Sequence, residues 1–253
     1  MNPKAERSDG TQDQERLDRS RRWSLLALSL IVPAQSLGVA TMLFGIPGPT
    51  GILLNGLSRL WMIGFPIVWW IQVEGRSLRL NGPSRSGLLA GIVSGVLIFF
   101  LMLSVYLLLA DQMDLDRLRH RGRLTGFDRP ALFAGMFAFI IFGNSLLEEF
   151  VWRGFVFRQL EVLMPVQLGT FGIQAAAVLV AALLFTVHHV IALAAWVDGF
   201  LVVLGSLGVF LGAVVWSILY AYDRTLWPSY VSHILADLAI LAMGYDLMFG
   251  KPW

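Results

Sequence analysis

A small set of ionisable side chains interrupts apolar sequence: Glu148, Glu149 and Arg153, then His188 and His189, then His233 and Asp237. In a bilayer such groups cost roughly 2.5–3.5 kcal/mol each at a helix centre, so each asks for a reason. Helical residues four apart share a face, whereas neighbours diverge by about 100°. Glu149 and Arg153 therefore read as a structural ion pair, which leaves Glu148 directed elsewhere. His233 and Asp237 share a face in the same way. There the carboxylate can hold the imidazole in one tautomer, or both groups can meet one ligand. His188 points about 100° away from His189, with a hydrogen bond to a neighbouring helix as its default role. A carboxylate near imidazoles suits general acid–base hydrolysis, because it can exchange a proton with a held water. Glu148, His189 and His233 could also form a three-ligand zinc set, and two histidines on different helices could bind haem.

The elements that must position these groups are membrane helices. Of 253 residues, 57% are hydrophobic and 14% charged, and the mean hydropathy is +0.69, whereas a soluble domain would be about a quarter charged. The apolar segments are 23–44, 52–73, 87–110, 131 to about 164, 171–197, 200–222 and 226–249, several of them near or above the ~20 residues that cross a bilayer. The fold class is all-α: a polytopic transmembrane bundle of about seven to eight helices around a buried polar site. Residues 1–22 hold eleven charged residues and almost nothing apolar, and so predict a disordered polar tail. Residues 23–110 form three N-terminal spans without a motif, expected to be peripheral scaffold or access helices. Residues 131–249 form a core of four helices. Pro47, Gly48 and Pro49 separate the first two spans, while Pro33 and Pro66 lie within spans.

With no cysteine, thiolate metal sites and disulfides are excluded. The formal charge of +2 is too small to imply nucleic acid as a partner. Arg16, Arg19, Arg21 and Arg22, then Arg76, Arg79 and Arg85, place the N-terminal tail in the cytoplasm of a multi-pass protein, with the plasma membrane as the expected site. The loop 111–130 disagrees: Arg117, Arg119, Arg121, Arg123 and Arg129 fall on the outer side. Trp61, Trp69, Trp70, Trp216, Tyr220 and Tyr222 read as interfacial anchors.

Depth then joins the groups. A turn at Pro165 and Gly169 folds the fourth and fifth spans into an antiparallel hairpin in which Glu148 and His189 are level, each about 20 residues or roughly 30 Å from the turn. The turn at Asp223 and Arg224 lies on the same side and starts the seventh span shortly before His233. Three helices can thus converge on one polar site.

Three blocks in this order resemble the CPBP group, also called the ABI family, of intramembrane glutamate proteases, which includes the CAAX prenyl endopeptidases. Glu148-Glu149-Phe150-Val151-Trp152-Arg153-Gly154 is similar to the family's EExxxR followed by glycine. Phe185-Thr186-Val187-His188-His189 is similar to FxxxH, which selects His189, and His233-Ile234-Leu235-Ala236-Asp237 to HxxxN or HxxxD. The resemblance implies an intramembrane endopeptidase that hydrolyses a peptide bond near the membrane surface. Glu148 would be the general base, His189 would hold the water and His233 would donate to the oxyanion. Phe185 would pack around the site, with Glu149 and Arg153 as orienting elements. Asp237 stands where asparagine is commoner and, unable to donate unless protonated, would orient His233. The implied partners are the lipid bilayer and a membrane-associated peptide or protein substrate. No cofactor is expected, with zinc possible but not favoured. The alternatives are a non-proteolytic immunity or scaffold protein of the same fold, or a His/Glu metal-binding membrane protein.

Overall fold

The computed structural model describes residues 3–45, 48–75 and 81–250. Pro47 of the first break and Arg76 and Arg79 of the second loop lie outside them. The described residues form eight helices and no strand: α1 (Pro3–Ala40, extended by a π-helical turn at Thr41–Gly45), α2 (Pro49–Gln72), α3 (Arg85–Leu109), α4 (Leu115–Thr125), α5 (Pro130–Leu163), α6 (Gly169–Trp196), α7 (Gly199–Asp223) and α8 (Trp227–Phe249). All but α4 are long and apolar enough to cross a membrane.

The stretch expected to be a disordered tail is helical from Pro3 and runs without a break into the first span. Gln14 to Ser20 are exposed, so helix formers such as Glu15, Arg16 and Leu17 carry it rather than packing. A second departure lies in the loop 111–130, which holds α4. Asp114 caps this helix by accepting from the Arg117 N–H at 3.0 Å, and Gly126 ends it in a left-handed conformation. Its arginines serve as ties. Arg117 donates to the Ala194 carbonyl near the end of α6 (3.3 Å) and pairs with Asp198. Arg119 donates to the carbonyls of Leu247 (3.1 Å) and Gly250 (3.2 Å) at the end of α8. Cations at helix C-termini satisfy carbonyls that no longer have an intrahelical partner. These two charges therefore have a local reason to sit on the side that the topology signal disfavours.

Close packing follows the small residues. Gly87, Gly91 and Gly95 recur every four residues on α3 and are buried, while Leu97, Phe100 and Leu101 on other faces are exposed. A side chain at Gly91 would strike the Pro228 backbone, and one at Gly95 would strike Ser232 and Leu235, so α3 lies directly on α8. The larger core unites Trp69 and Trp70 of α2 with Trp152, Phe155 and Phe157 of α5, Phe185 of α6 and Trp216 of α7. A smaller one packs Phe133, Phe137 and Ile141 of α5 on Ile234, Leu238 and Leu241 of α8. Trp69, Trp70, Trp216 and Tyr220 are thus core residues, contrary to the expectation of interfacial anchors, whereas Trp61 and Tyr222 are exposed.

One face of the bundle is closed by polar bonds that join α1, the ends of α2 and α5, and the α7–α8 turn. Ser24 donates to Gln159 (2.8 Å) and Gln159 to Glu74 (2.6 Å), while Arg224 grips both oxygens of Glu161 at 2.8 and 2.9 Å. The α7–α8 turn therefore lies beside the end of α5, as the depth argument requires. The paired Glu161 carboxylate keeps the Arg224 guanidinium protonated even more firmly than usual.

Candidate active site

Helix α5 brings three charged groups into the protein interior. Its α-helical segment Ser145–Glu149 is bracketed by π-helical stretches at Phe139–Asn144 and Phe150–Val156. Glu148, Glu149 and Arg153 are all buried. The ion pair read from the spacing is present, with Arg153 Nη1 3.2 Å from Glu149 Oε1, but it does more than neutralise two charges. Arg153 Nη2 donates to the Ala213 carbonyl of α7 at 3.1 Å, and its guanidinium lies over the rings of Phe185 (4.8 Å) and Trp216 (5.3 Å). The same Glu149 oxygen is 2.9 Å from His233 Nδ1. One charged pair thereby ties α5 to α6, α7 and α8.

His233 is buried and stacks on Trp216, with centroids 3.9 Å apart and planes at 15°. Because an ionised carboxylate can only accept, the Glu149 bond assigns a proton to Nδ1 and turns Nε2 toward the rest of the site. There Nε2 lies 3.8 Å from Glu148 Oε2 and 3.9 Å from Asp237 Oδ2. The orienting bond expected from Asp237 is thus made by Glu149. Asp237 instead accepts from the Ser145 hydroxyl at 2.5 Å. Helical spacing correctly put Asp237 and His233 on one face, but a carboxylate from another helix reaches the ring more closely.

Glu148 occupies the centre. Its Oε1 accepts from Gln35 Nε2 of α1 at 2.6 Å, and the Gln35 carbonyl oxygen accepts from Trp152 Nε1 at 3.2 Å. On the far side of Glu148, His188 Nε2 is 3.6 Å from Oε1, and this ring lies nearly parallel to Trp152 (5.8 Å, 12°). His189 is half-buried, and its Nδ1 is 3.1 Å from the Phe185 carbonyl, a bond that places a proton on Nδ1 and a lone pair on Nε2. Phe185 packs against both histidines and Trp152. Ligand-type atoms of Glu148, His188 and His189 fall within 4.8 Å of one another. The zinc set considered from sequence had His233 in place of His188. His188, expected to serve a neighbouring helix, has neither ring nitrogen hydrogen-bonded among the described residues and faces the carboxylate.

The gaps of 3.6 and 3.8 Å are too long for direct hydrogen bonds, so the Glu148 oxygens and the imidazole nitrogens keep hydrogen-bonding capacity that a water beside them could use. Residues 130–239 match the family model described as type II CAAX prenyl endopeptidase Rce1-like. This match, which runs from the start of α5 into α8, is consistent with the CPBP group of CAAX-type proteases that the three sequence blocks resemble. The matched region includes Glu148, His189, His233 and Asp237 and covers just under half of the chain. With seven helices long and apolar enough to cross a membrane, the chain is a multi-pass integral membrane protein. No curated protein and no solved structure matches the chain.

Two polar residues near the site lie outside the matched region and were not singled out from sequence. Gln35 is a neutral amide in the first span, so no charge marked it, and α1 is consequently part of the site rather than peripheral scaffold. Arg59 of α2 donates from Nε to Asn55 Oδ1 (3.1 Å) and from Nη1 to Asn144 Oδ1 of α5. As an arginine ten residues into a span, Arg59 meets the same criterion as the other ionisable groups.

Proposed function

We propose that the chain is an intramembrane endopeptidase that hydrolyses a peptide bond near the membrane surface with water activated by Glu148. The observation that carries this reading is the placement of a buried carboxylate, held by one amide donor, with His188 and His233 nitrogens 3.6 and 3.8 Å from its two oxygens. The match of residues 130–239 to the type II CAAX prenyl endopeptidase model supports it. In the proposed reaction, a water held between Glu148 and the His188/His189 pair gives a proton to Glu148 as its oxygen attacks the scissile carbonyl carbon. His233, as the imidazolium, donates from Nε2 to the oxyanion of the tetrahedral intermediate while Nδ1–H stays on Glu149. The intermediate collapses with cleavage of the C–N bond, and Glu148 returns its proton to the leaving amine. Asp237 lies beside Nε2 and acts on the charge of His233 rather than as a donor.

The test is comparative proteomics of membrane-associated peptide termini, with purified wild type and Glu148→Gln then assayed on any peptide so found. Loss of the general base should lower kcat by about 10²–10⁴-fold while the variant inserts normally. Processing at the wild-type rate by Glu148→Gln would overturn the mechanism.

The convergence of Glu148, His188 and His189 favours a second reading, in which a divalent ion polarises the water. Those donors suit zinc, although Glu148 Oε1 already accepts a short bond from Gln35. Elemental analysis of the purified protein separates the two readings. Stoichiometric zinc that is lost from His188→Ala would support the metal site.

A further inference from the structure

Among the described residues, Arg59 is an intramembrane cation without a hydrogen-bonded anion. Its guanidinium touches two neutral amides, Asn55 on its own helix and Asn144 on α5, and lies over the Phe139 ring at 5.4 Å. A tie between α2 and α5 needs no charge; a glutamine would donate to Asn144 as well and would avoid the cost of a cation in lipid. Glu148, the central carboxylate of the site, already accepts from Gln35 and has His188 and His233 nitrogens 3.6 and 3.8 Å from its oxygens. Among the described residues, Nη2 makes no hydrogen bond, and it does not belong to the buried side-chain atoms that lack a partner, so this edge of the fork is open. A planar fork with an open edge suits a carboxylate.

Its position relates it to the chemistry. Asn144 precedes Glu148 by four residues on α5, so the two share a face about 6 Å apart along the helix axis. An extended peptide covers that distance in about two residues. We propose that Arg59 is a specificity residue that receives a carboxylate of the substrate roughly two residues from the scissile bond, on the side of the site toward the α5 N-terminus. This assignment rests on the proteolytic reading above and adds the chemistry of the substrate to it. The carboxylate can be a peptide C-terminus or an acidic side chain.

The experiment uses full-length protein in proteoliposomes and matched peptides that differ only in a free or amidated C-terminus, or in Asp against Asn and Glu against Gln at each scanned position. Wild type should cleave the carboxylate form at least tenfold better in kcat/KM, with the difference in KM. Arg59→Gln should erase that preference and Arg59→Lys should restore part of it. The pair that discriminates identifies the source of the carboxylate. Equal losses for both forms, or no discrimination by wild type, would overturn the proposal and leave Arg59 as a helix tie. A binding arm separates this outcome from failure of the proteolytic reading. Labelled versions of the same peptides are titrated onto Glu148→Gln protein, where the carboxylate form should bind about tenfold more tightly and lose that advantage in the Glu148→Gln, Arg59→Gln double variant. If wild-type cleavage survives Glu148→Gln, the hydrolytic mechanism fails while this arm still decides the role of Arg59.

Discussion

The orientation of Gln35 follows from its two neighbours. The indole N–H of Trp152 is a donor only, so the Gln35 carbonyl oxygen must face it and the amide nitrogen must face Glu148. A hydrogen bond to a charged group contributes about 1.5–3 kcal/mol. If the bond holds Glu148 in its reactive position, Gln35→Ala should lower kcat by roughly 10–100-fold with helicity unchanged, and Gln35→Glu, which sets a second carboxylate against Glu148, should be worse. Kinetics on a cleaved peptide together with circular dichroism would check this, and an unchanged kcat would reduce Gln35 to packing. The charged part of the site was legible because charge inside an apolar run is conspicuous and four-residue spacing reports a shared face. What remained hidden came from other helices. Spacing on α8 could pair His233 with Asp237, but it carried no information about Glu149 arriving from α5 at 2.9 Å. Gln35 and Trp216 belong to residue types that apolar spans commonly contain, so only their neighbours reveal their roles.

At the scale of elements, α8 carries His233 and Asp237 but is placed by α3, which has no ionisable residue at the site. The glycine face of α3 fixes how near α8 can come. Gly95→Leu should push α8 outward and cost roughly 1–3 kcal/mol. Its thermal unfolding in detergent should fall by several degrees, and activity should fall further than the population unfolded accounts for, because His233 moves with the helix. The half-buried Gly56 of α2 has open space where a side chain would go, and Gly56→Leu there is the control. Span lengths and most boundaries were readable from hydropathy. Helix α4 was not, since its eleven residues are mostly polar and its arginines resemble a topology signal. Their ties to α6 and α8 are long-range and have no local signature.

Across the whole molecule, helix ends fall on two faces. Glu74, Gln159, Glu161 and Arg224 meet at one, while Arg117 and Arg119 reach the ends of α6 and α8 at the other. We propose that the first face is cytoplasmic, in keeping with the basic residues of the N-terminal stretch. The chain has no cysteine, so single-cysteine variants report orientation against no background. In intact cells, Ser20→Cys should resist a membrane-impermeant maleimide and Thr125→Cys should react. The reverse pattern would invert the topology without altering the site.

The π-helical turns of α5 carry one further consequence. They lie directly before and after Ser145–Glu149, so the compass direction of Glu148 depends on how many residues precede it as much as on which they are. Removing a single residue from Phe139–Asn144 would leave a rod still long enough to span lipid and almost unchanged in oiliness. It would also swing the acidic pair by about 100° against the stretch that precedes it. Such a deletion should insert and be inert, its carboxylates turned away from the three imidazoles, and a compensating insertion in the same turn should revive it.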